Sequence, residues 1–176
     1  VIGANGAVAS VALFSEVPID EIKSIYLDYQ SRTSVQLLKI LLAEYWKVEV
    51  NFSTASEGYI DQISGTTAGL IIGDRALDNL SKFPYVYDLG LAWKQHTGLP
   101  FVFAAWVANQ SIPAEFMAAF DAANGYGLAH LDEVIALIPA QEQVYDLHKY
   151  YTENISYVYD EEKKLGLNAF LNLIKS

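Results

Sequence analysis

The chain has 176 residues, of which 52% are hydrophobic and 18% are charged, so it can build an apolar core and is not typical of a disordered protein. Its net charge of −10 argues against nucleic acid or an anionic membrane as the main partner, although a small anionic substrate needs only local positive charge. The absence of cysteine excludes disulfides and thiolate metal sites.

The first hundred residues alternate between strand and helix patterns. Four segments read as strands, residues 7–14, 25–27, 47–52 and 67–73, and residues 85–89 read as a further extended piece. Helical patterns lie at residues 35–46, 74–83 and 91–96, with Gly98 closing the last. This alternation predicts an α/β fold with a mostly parallel sheet.

A further apolar strand is predicted for residues 101–108, and the pattern beyond Pro113 is mostly helical. The first of these helices is expected to stop at Gly125 and Gly127. Three more helical segments follow: residues 131–138, a stretch marked by Val144, Leu147 and Tyr151, and residues 161–174. We expect the apolar strands at residues 7–14 and 101–108 to lie side by side as a hinge between two lobes.

The turn that follows the strand at residues 25–27 carries an anion-binding pattern. Ser31, Thr33 and Ser34 can cap the free N–H groups at the start of the next helix, and those N–H groups with the helix dipole can bind an anion. Arg32 adds a fork of donors shaped for a carboxylate or phosphate. We therefore predict an anion pocket at this strand-to-helix turn. The alternative is that Ser31 or Thr33 only caps the helix and that Arg32 makes a surface ion pair.

We expect other candidate residues to line the same cleft as this anion pocket. Ser10 lies on one predicted hinge strand, and Gly73 and Asp74 lie at the end of the buried strand at residues 67–73. Phe103 and Trp106 lie on the other hinge strand. Donors for carboxylates at one end of a cleft and aromatic walls at the other suit a small, ring-shaped acid.

Each polar candidate also has a structural alternative. Ser10 can be a small core hydroxyl, and Asp74 can be the N-cap of the helix that follows it. Arg75 can pair with Asp74 or Asp78. The three histidines are scattered through helical segments and read as surface or packing residues: His96, His130 and His148.

Five strings of residues carry a resemblance to a known family. They are VASV from Val8, LDYQSRTSV from Leu27, LIIGDRAL from Leu70, TGLPFVFA from Thr97 with Trp106 beyond it, and YTENISY from Tyr151. In this order and over nearly the whole chain, they resemble the chorismate dehydratase family, which opens the futalosine route to menaquinone.

The resemblance implies a two-lobed α/β fold like that of type II periplasmic solute-binding proteins, with a two-strand hinge. Residues 1–14 would hold a hinge strand and a remnant of the first lobe, residues 15–100 the complete second lobe, and residues 101–176 the return strand and the C-terminal helices of the first lobe. The first lobe is expected to be incomplete, because roughly the first third of a family member has no counterpart in this chain. That missing part carries an Asn expected to contact the substrate.

The resemblance also implies a cytoplasmic hydro-lyase that needs no metal or organic cofactor and converts chorismate to 3-[(1-carboxyvinyl)oxy]benzoate. Ser10, with Ser31, Thr33 or Ser34 and nearby backbone N–H groups, would hold the two carboxylates of chorismate. As a hypothesis, the enolpyruvyl carboxylate of the substrate takes the proton, and Asp74 is the one candidate acid or base in the protein.

Two alternative functions stay open. One is a sister enzyme that releases 1,4-dihydroxy-6-naphthoate, and the other is a non-catalytic binding protein for a small carboxylate.

Overall fold

The computed structural model describes residues 1–139 and 144–175. The strands are β1 (Ile2–Ala4), β2 (Val11–Ser15), β3 (Ser24–Leu27), β4 (Asn51–Thr54), β5 (Thr67–Ile72), β6 (Tyr85–Asp88) and β7 (Phe101–Ala104). The α-helices are α1 (Arg32–Ile40), α2 (Asp74–Leu77), α3 (Leu89–Thr97), α4 (Ala114–Ala129), α5 (Leu131–Ala136), α6 (Leu147–Lys149) and α7 (Glu161–Lys175). Two helices continue into π-helical turns: α1 into Leu41–Trp46 and α6 into Tyr150–Asn154.

The larger sheet has five strands in the order β4–β3–β5–β2–β6. β3 runs parallel to β4 and β5, whereas β2 runs antiparallel to both of its neighbours, β5 and β6. The alternation of strands and helices predicted for this part of the chain is confirmed. The prediction of a mostly parallel sheet needs correction, because β2 enters the sheet from the edge where β5 ends and makes the sheet mixed.

Both faces of the larger sheet are covered. On one face, Leu13 and Leu70 belong to a core cluster that also holds the buried side of α1 and Trp93 of α3. On the other face, Phe14 packs in a second cluster with Tyr59. Neighbouring residues of a strand point to opposite faces, so the uninterrupted apolar character of β2 and β5 follows from burial on both sides.

A second, two-stranded sheet pairs β1 with β7 in antiparallel register, with Ala4 opposite Phe101. The expected pairing of residues 7–14 with residues 101–108 is therefore wrong. Residues 7–10 leave the extended conformation at a turn in which Ala9 has φ 62°, so the apolar run is divided and only residues from Val11 onward join a sheet. The strand predicted for residues 101–108 ends at Ala104.

The helices after β7 differ sharply in burial. Phe170 of α7 is buried against Trp93 and Phe101. In contrast, α4 buries none of its residues. The predicted stop at Gly125 and Gly127 is wrong, because the helix continues to Ala129; an exposed glycine weakens a helix without breaking it.

Other boundaries also shift. The strand predicted for residues 47–52 begins only at Asn51, because the π-helical turn runs to Trp46 and Lys47 ends it in a left-handed conformation, with φ 56°. The helix marked by Val144, Leu147 and Tyr151 begins at Leu147. Within residues 1–139 and 144–175, no helix is both long and apolar enough to cross a bilayer.

Two helical glycines should respond oppositely to alanine. A Cβ at Gly166 of α7 would collide with the carbonyl oxygen of Pro100, whereas a Cβ at Gly127 of α4 would meet open space. We expect Gly166→Ala to destabilise the fold by about 1–3 kcal/mol through overpacking. Gly127→Ala should stabilise α4 by about 0.5–1 kcal/mol. Urea unfolding followed by far-UV circular dichroism measures both, and equal responses of the two variants would contradict the tight packing of α7 on Pro100.

Candidate functional site

The candidate site lies at one edge of the larger sheet, where β2 begins and β3 and β5 end. Val11 is opposite Ile72 in the β2–β5 pairing, so Ser10 stands beside Gly73. The backbone N–H of Gly73 donates to the carbonyl oxygen of Ser10 at 2.7 Å. The structure therefore brings Ser10 beside the consecutive residues Gly73 and Asp74, which lie far from it in the sequence.

The turn at residues 8–10 is held by the carboxylate of Asp88. Its Oδ2 accepts hydrogen bonds from the N–H groups of Val8 at 2.9 Å and Ala9 at 2.6 Å, and its Oδ1 accepts one from Leu91. Burial raises the pKa of the Asp88 carboxyl, and these N–H groups oppose that shift. Because a left-handed alanine is unfavourable by itself, the conformation of Ala9 depends on these bonds.

The side chain of Ser10 is paired with a residue that the sequence did not identify. Ser10 is only 4% exposed, and its Oγ accepts a hydrogen bond from the hydroxyl of Tyr150 at 2.8 Å. Burial raises the pKa of Tyr150, the hydrogen bond with Ser10 opposes that shift, and the charges of Tyr151 and Asp74 add to it. Tyr150 immediately precedes the YTENISY string, and that position was the only signal in the sequence.

The start of α1 supplies the other half of the site. Ser31 is the N-cap: its Oγ accepts a hydrogen bond from the backbone N–H of Ser34 at 3.1 Å and donates one to the Oγ of Ser34 at 2.9 Å. The N–H groups of Arg32 and Thr33, in the first helical turn, have no intrahelical carbonyl to bind. The cap expected from the sequence is thus confirmed at Ser31, and two N–H donors remain available for an anion.

Arg32 is exposed at this helix start. Within the part of the chain that the structure describes, its guanidinium makes neither an ion pair nor a hydrogen bond. The alternative in which Arg32 makes a surface ion pair is therefore wrong for these residues. The arrangement leaves a forked cation beside free N–H groups, which suits a carboxylate.

A buried carboxylate ties the ends of β3 and β5 together. The side chain of Asp28 has no exposed surface; it forms an ion pair with Arg75 Nη2 at 2.7 Å and accepts hydrogen bonds from the Tyr59 hydroxyl at 2.8 Å and the Gln30 N–H at 2.7 Å. Burial and the Asp28 carboxylate raise the pKa of Tyr59, which stays protonated as a donor. The expectation that Arg75 pairs with Asp74 or Asp78 is therefore wrong. The string LDYQSRTSV contains Asp28, but local spacing could not pair it with Arg75.

Asp74 is the first residue of α2 rather than its cap. Gly73 occupies the N-cap with φ 65° and ψ −148°, a conformation that favours glycine. The expectation of an N-cap role for Asp74 is therefore wrong. Its side chain is exposed, and among the described residues no hydrogen bond or ion pair occupies its carboxylate.

The two aromatic candidates lie apart from this edge. Phe103 packs on Phe101, with ring centroids 4.7 Å apart. Trp106 is 79% exposed, contacts Phe120 and lines a cavity of about 910 Å³. Among the described residues, the lining of that cavity contains no other predicted site residue; it is formed by Val1, Ile2, Ala104, Ala105, Trp106, Phe120, Asp121, Ala123, Asn124, Gly127, Leu128 and Tyr157.

The histidines sit on helices or beside them, and their side chains contact residues other than Ser10 and Gly73. His96 packs near the ring of Tyr45, and His130 stacks on Tyr126 with ring centroids 4.0 Å apart. His148 Nε2 lies 3.5 Å from Asp132 Oδ1. These contacts agree with surface and packing roles.

Comparison with known proteins relates the whole chain to one family. The family described as "Menaquinone biosynthesis" matches residues 1–176. A curated relative, "Chorismate dehydratase" of Thermus thermophilus, is 32% identical over an alignment that covers 94% of this chain and 68% of the relative.

Removal of the Arg75 charge should weaken the fold because it leaves the buried Asp28 carboxylate without its cation. We expect Arg75→Met to lower the free energy of unfolding by about 2–4 kcal/mol at neutral pH, measured by urea unfolding. Lys164→Met is the control, since it removes an exposed ion pair with Glu161 and should change stability little. A loss as small for Arg75→Met as for the control would show that Asp28 does not depend on Arg75.

Proposed function

Because the chain belongs to the menaquinone biosynthesis family, we propose that it is a chorismate dehydratase, which removes water from chorismate to give 3-[(1-carboxyvinyl)oxy]benzoate. The observation that carries the proposal is the 32% identity to the Thermus thermophilus enzyme over 94% of the chain. In this proposal the protein is a hydro-lyase that works without a metal or organic cofactor and binds chorismate as its small-molecule substrate.

The site offers what this elimination needs. The hydrogen to be removed is allylic to the ring carboxylate, so it becomes more acidic when hydrogen bonds stabilise the negative charge that spreads to that carboxylate. The oxygen of the Ser10 hydroxyl is held by a hydrogen bond from Tyr150, which leaves the Ser10 O–H to donate to a substrate beside the backbone N–H groups at the start of α1. Fixed donors aimed at developing charge usually contribute more to catalysis than any other single effect. In this proposal the substrate is bound by Ser10, Ser31, Arg32, Thr33, Ser34 and Gly73 at this sheet edge. Phe103 and Trp106, which the sequence also offered as substrate contacts, lie on and after β7 in the smaller sheet and are not part of this group.

The bond changes balance without an added reagent. The ring C–H bond breaks, its electron pair moves into the ring, and the neighbouring C–O bond breaks as the ring becomes aromatic. The leaving hydroxide and the released proton together make one water. The enolpyruvyl carboxylate of the substrate can take the proton if the protein holds it close, and the exposed, unpaired carboxylate of Asp74 is the protein group available for the same role.

We also propose the two-lobed architecture of type II periplasmic solute-binding proteins. The five-stranded sheet supports a second lobe over residues 15–100, since β3 to β6 and their helices lie inside those bounds. The β1–β7 pair supports a two-strand hinge, because it joins the chain before that lobe to the chain after it. The exposed apolar residues of α4, among them Phe116 and Met117, support a first lobe that this segment builds only in part. We place the enzyme in the cytoplasm on the family resemblance.

Chorismate turnover tests the proposed function directly. The protein, with any residues that precede Val1 in its natural form, is incubated with chorismate, and the aromatic product is detected by absorbance and chromatography. We expect stoichiometric formation of 3-[(1-carboxyvinyl)oxy]benzoate, unchanged by a chelator. Binding of chorismate without product would favour a solute-binding protein, and turnover only of a later pathway intermediate to 1,4-dihydroxy-6-naphthoate would favour the sister enzyme.

Arg32 should contribute to substrate affinity. Arg32→Ala is expected to raise KM for chorismate about tenfold and leave the thermal midpoint unchanged, because the guanidinium has no partner in the described fold and is free for a substrate carboxylate. Lys82→Ala removes an exposed positive charge elsewhere and should leave KM unchanged. If Arg32→Ala shifts only the thermal midpoint, the arginine is structural.

A further inference from the structure

One contact joins the C-terminal part of the chain to the candidate site. The hydroxyl of Tyr150 lies 2.8 Å from Ser10 Oγ, although the two residues are 140 positions apart. A phenol is a better hydrogen-bond donor and a poorer acceptor than an aliphatic alcohol, so Tyr150 donates and Ser10 accepts. A tyrosine hydroxyl is protonated at neutral pH, and burial raises the pKa of Tyr150 further in that direction.

This contact determines where the proton of Ser10 can point. The lone pair of Ser10 Oγ that faces Tyr150 accepts a hydrogen bond. The Ser10 O–H must therefore point away from Tyr150. Among residues 1–139 and 144–175, no group accepts a hydrogen bond from Ser10 Oγ, and the backbone groups of Ser10 are already paired with Val8 and Gly73. A nearly buried hydroxyl thus has a fixed oxygen and an unused proton.

Both partners are held by contacts outside the pair. Tyr150 begins the π-helical turn Tyr150–Asn154, and the Asn154 side-chain amide donates to the carbonyl oxygen of Ala7 at 3.1 Å. Ser10 ends the turn that the Asp88 carboxylate fixes. π-Helical turns and left-handed non-glycine residues both concentrate at functional sites, where the surrounding structure maintains them.

We propose that Tyr150 is a positioning residue for the dehydration: its hydroxyl holds Ser10 so that the Ser10 O–H donates to the ring carboxylate of the substrate. The inference rests on the proposed function. Charge on that carboxylate grows as the ring proton leaves, so the aligned donor acts more strongly on the transition state than on bound chorismate. The loss of Tyr150 should therefore lower kcat more than it raises KM.

A double-mutant cycle on the full-length protein tests this role. Tyr150→Phe should lower kcat about fivefold to tenfold and change KM less than twofold. In the Ser10→Ala background the same substitution should have less than a twofold effect on kcat, because the hydroxyl it positions is gone. Tyr159→Phe is the matched control; this exposed tyrosine lies in the same C-terminal part, and its substitution should leave kcat and KM unchanged.

The outcomes separate the two proposals. If the wild-type protein forms no aromatic product from chorismate, the proposed function is overturned and this inference falls with it. If the wild-type protein turns over chorismate but Tyr150→Phe retains its kcat, or lowers only the thermal midpoint, the positioning role alone is overturned. Independent effects of Tyr150→Phe and Ser10→Ala, which multiply in the double variant, would also overturn it.

Discussion

The turn held by the Asp88 carboxylate is the constraint on which the rest of the structure depends. Asp88 caps α3 and at the same time accepts the N–H groups of Val8 and Ala9, so one side chain fixes two elements. A left-handed alanine costs about 1–2 kcal/mol, which charge-assisted hydrogen bonds of this kind can offset. Because the chain turns here, β1 pairs with β7 while β2 enters the larger sheet in the opposite direction to its neighbours.

The same turn places Ser10 at the sheet edge that carries the strand-to-helix loops. Asp28 and Arg75 then join the loop after β3 to the loop after β5. A buried carboxylate is tolerated only when its oxygens are satisfied, and Asp28 has donors from Arg75, Tyr59 and the Gln30 backbone. The donors of the candidate site are therefore carried by strand ends and a helix start whose mutual positions are set by buried polar contacts.

Burial divides the chain unevenly. The larger sheet is covered on both faces, whereas α4 buries none of its residues and exposes large apolar side chains such as Phe116 and Tyr126. Exposed apolar surface of this extent is unusual for an isolated folded unit. The proposed lobes follow this difference only in part. The well-packed core includes most of the proposed second lobe, but it also takes in Leu13 of β2 and Phe170 of α7, which lie outside residues 15–100.

The sequence alone determined the features that depend on local periodicity and capping. The positions of β3, β5, β6 and α3 follow from apolar runs and turn residues, and the Ser31 cap follows from a hydroxyl at a helix start. Only the tertiary structure decided which distant groups meet: Arg75 with Asp28, Asp88 with Val8, and Tyr150 with Ser10, at separations of 47, 80 and 140 residues. Local sequence patterns indicate which polar groups need a hydrogen-bond or ion-pair partner. Which residue becomes that partner depends on the packing of the whole chain.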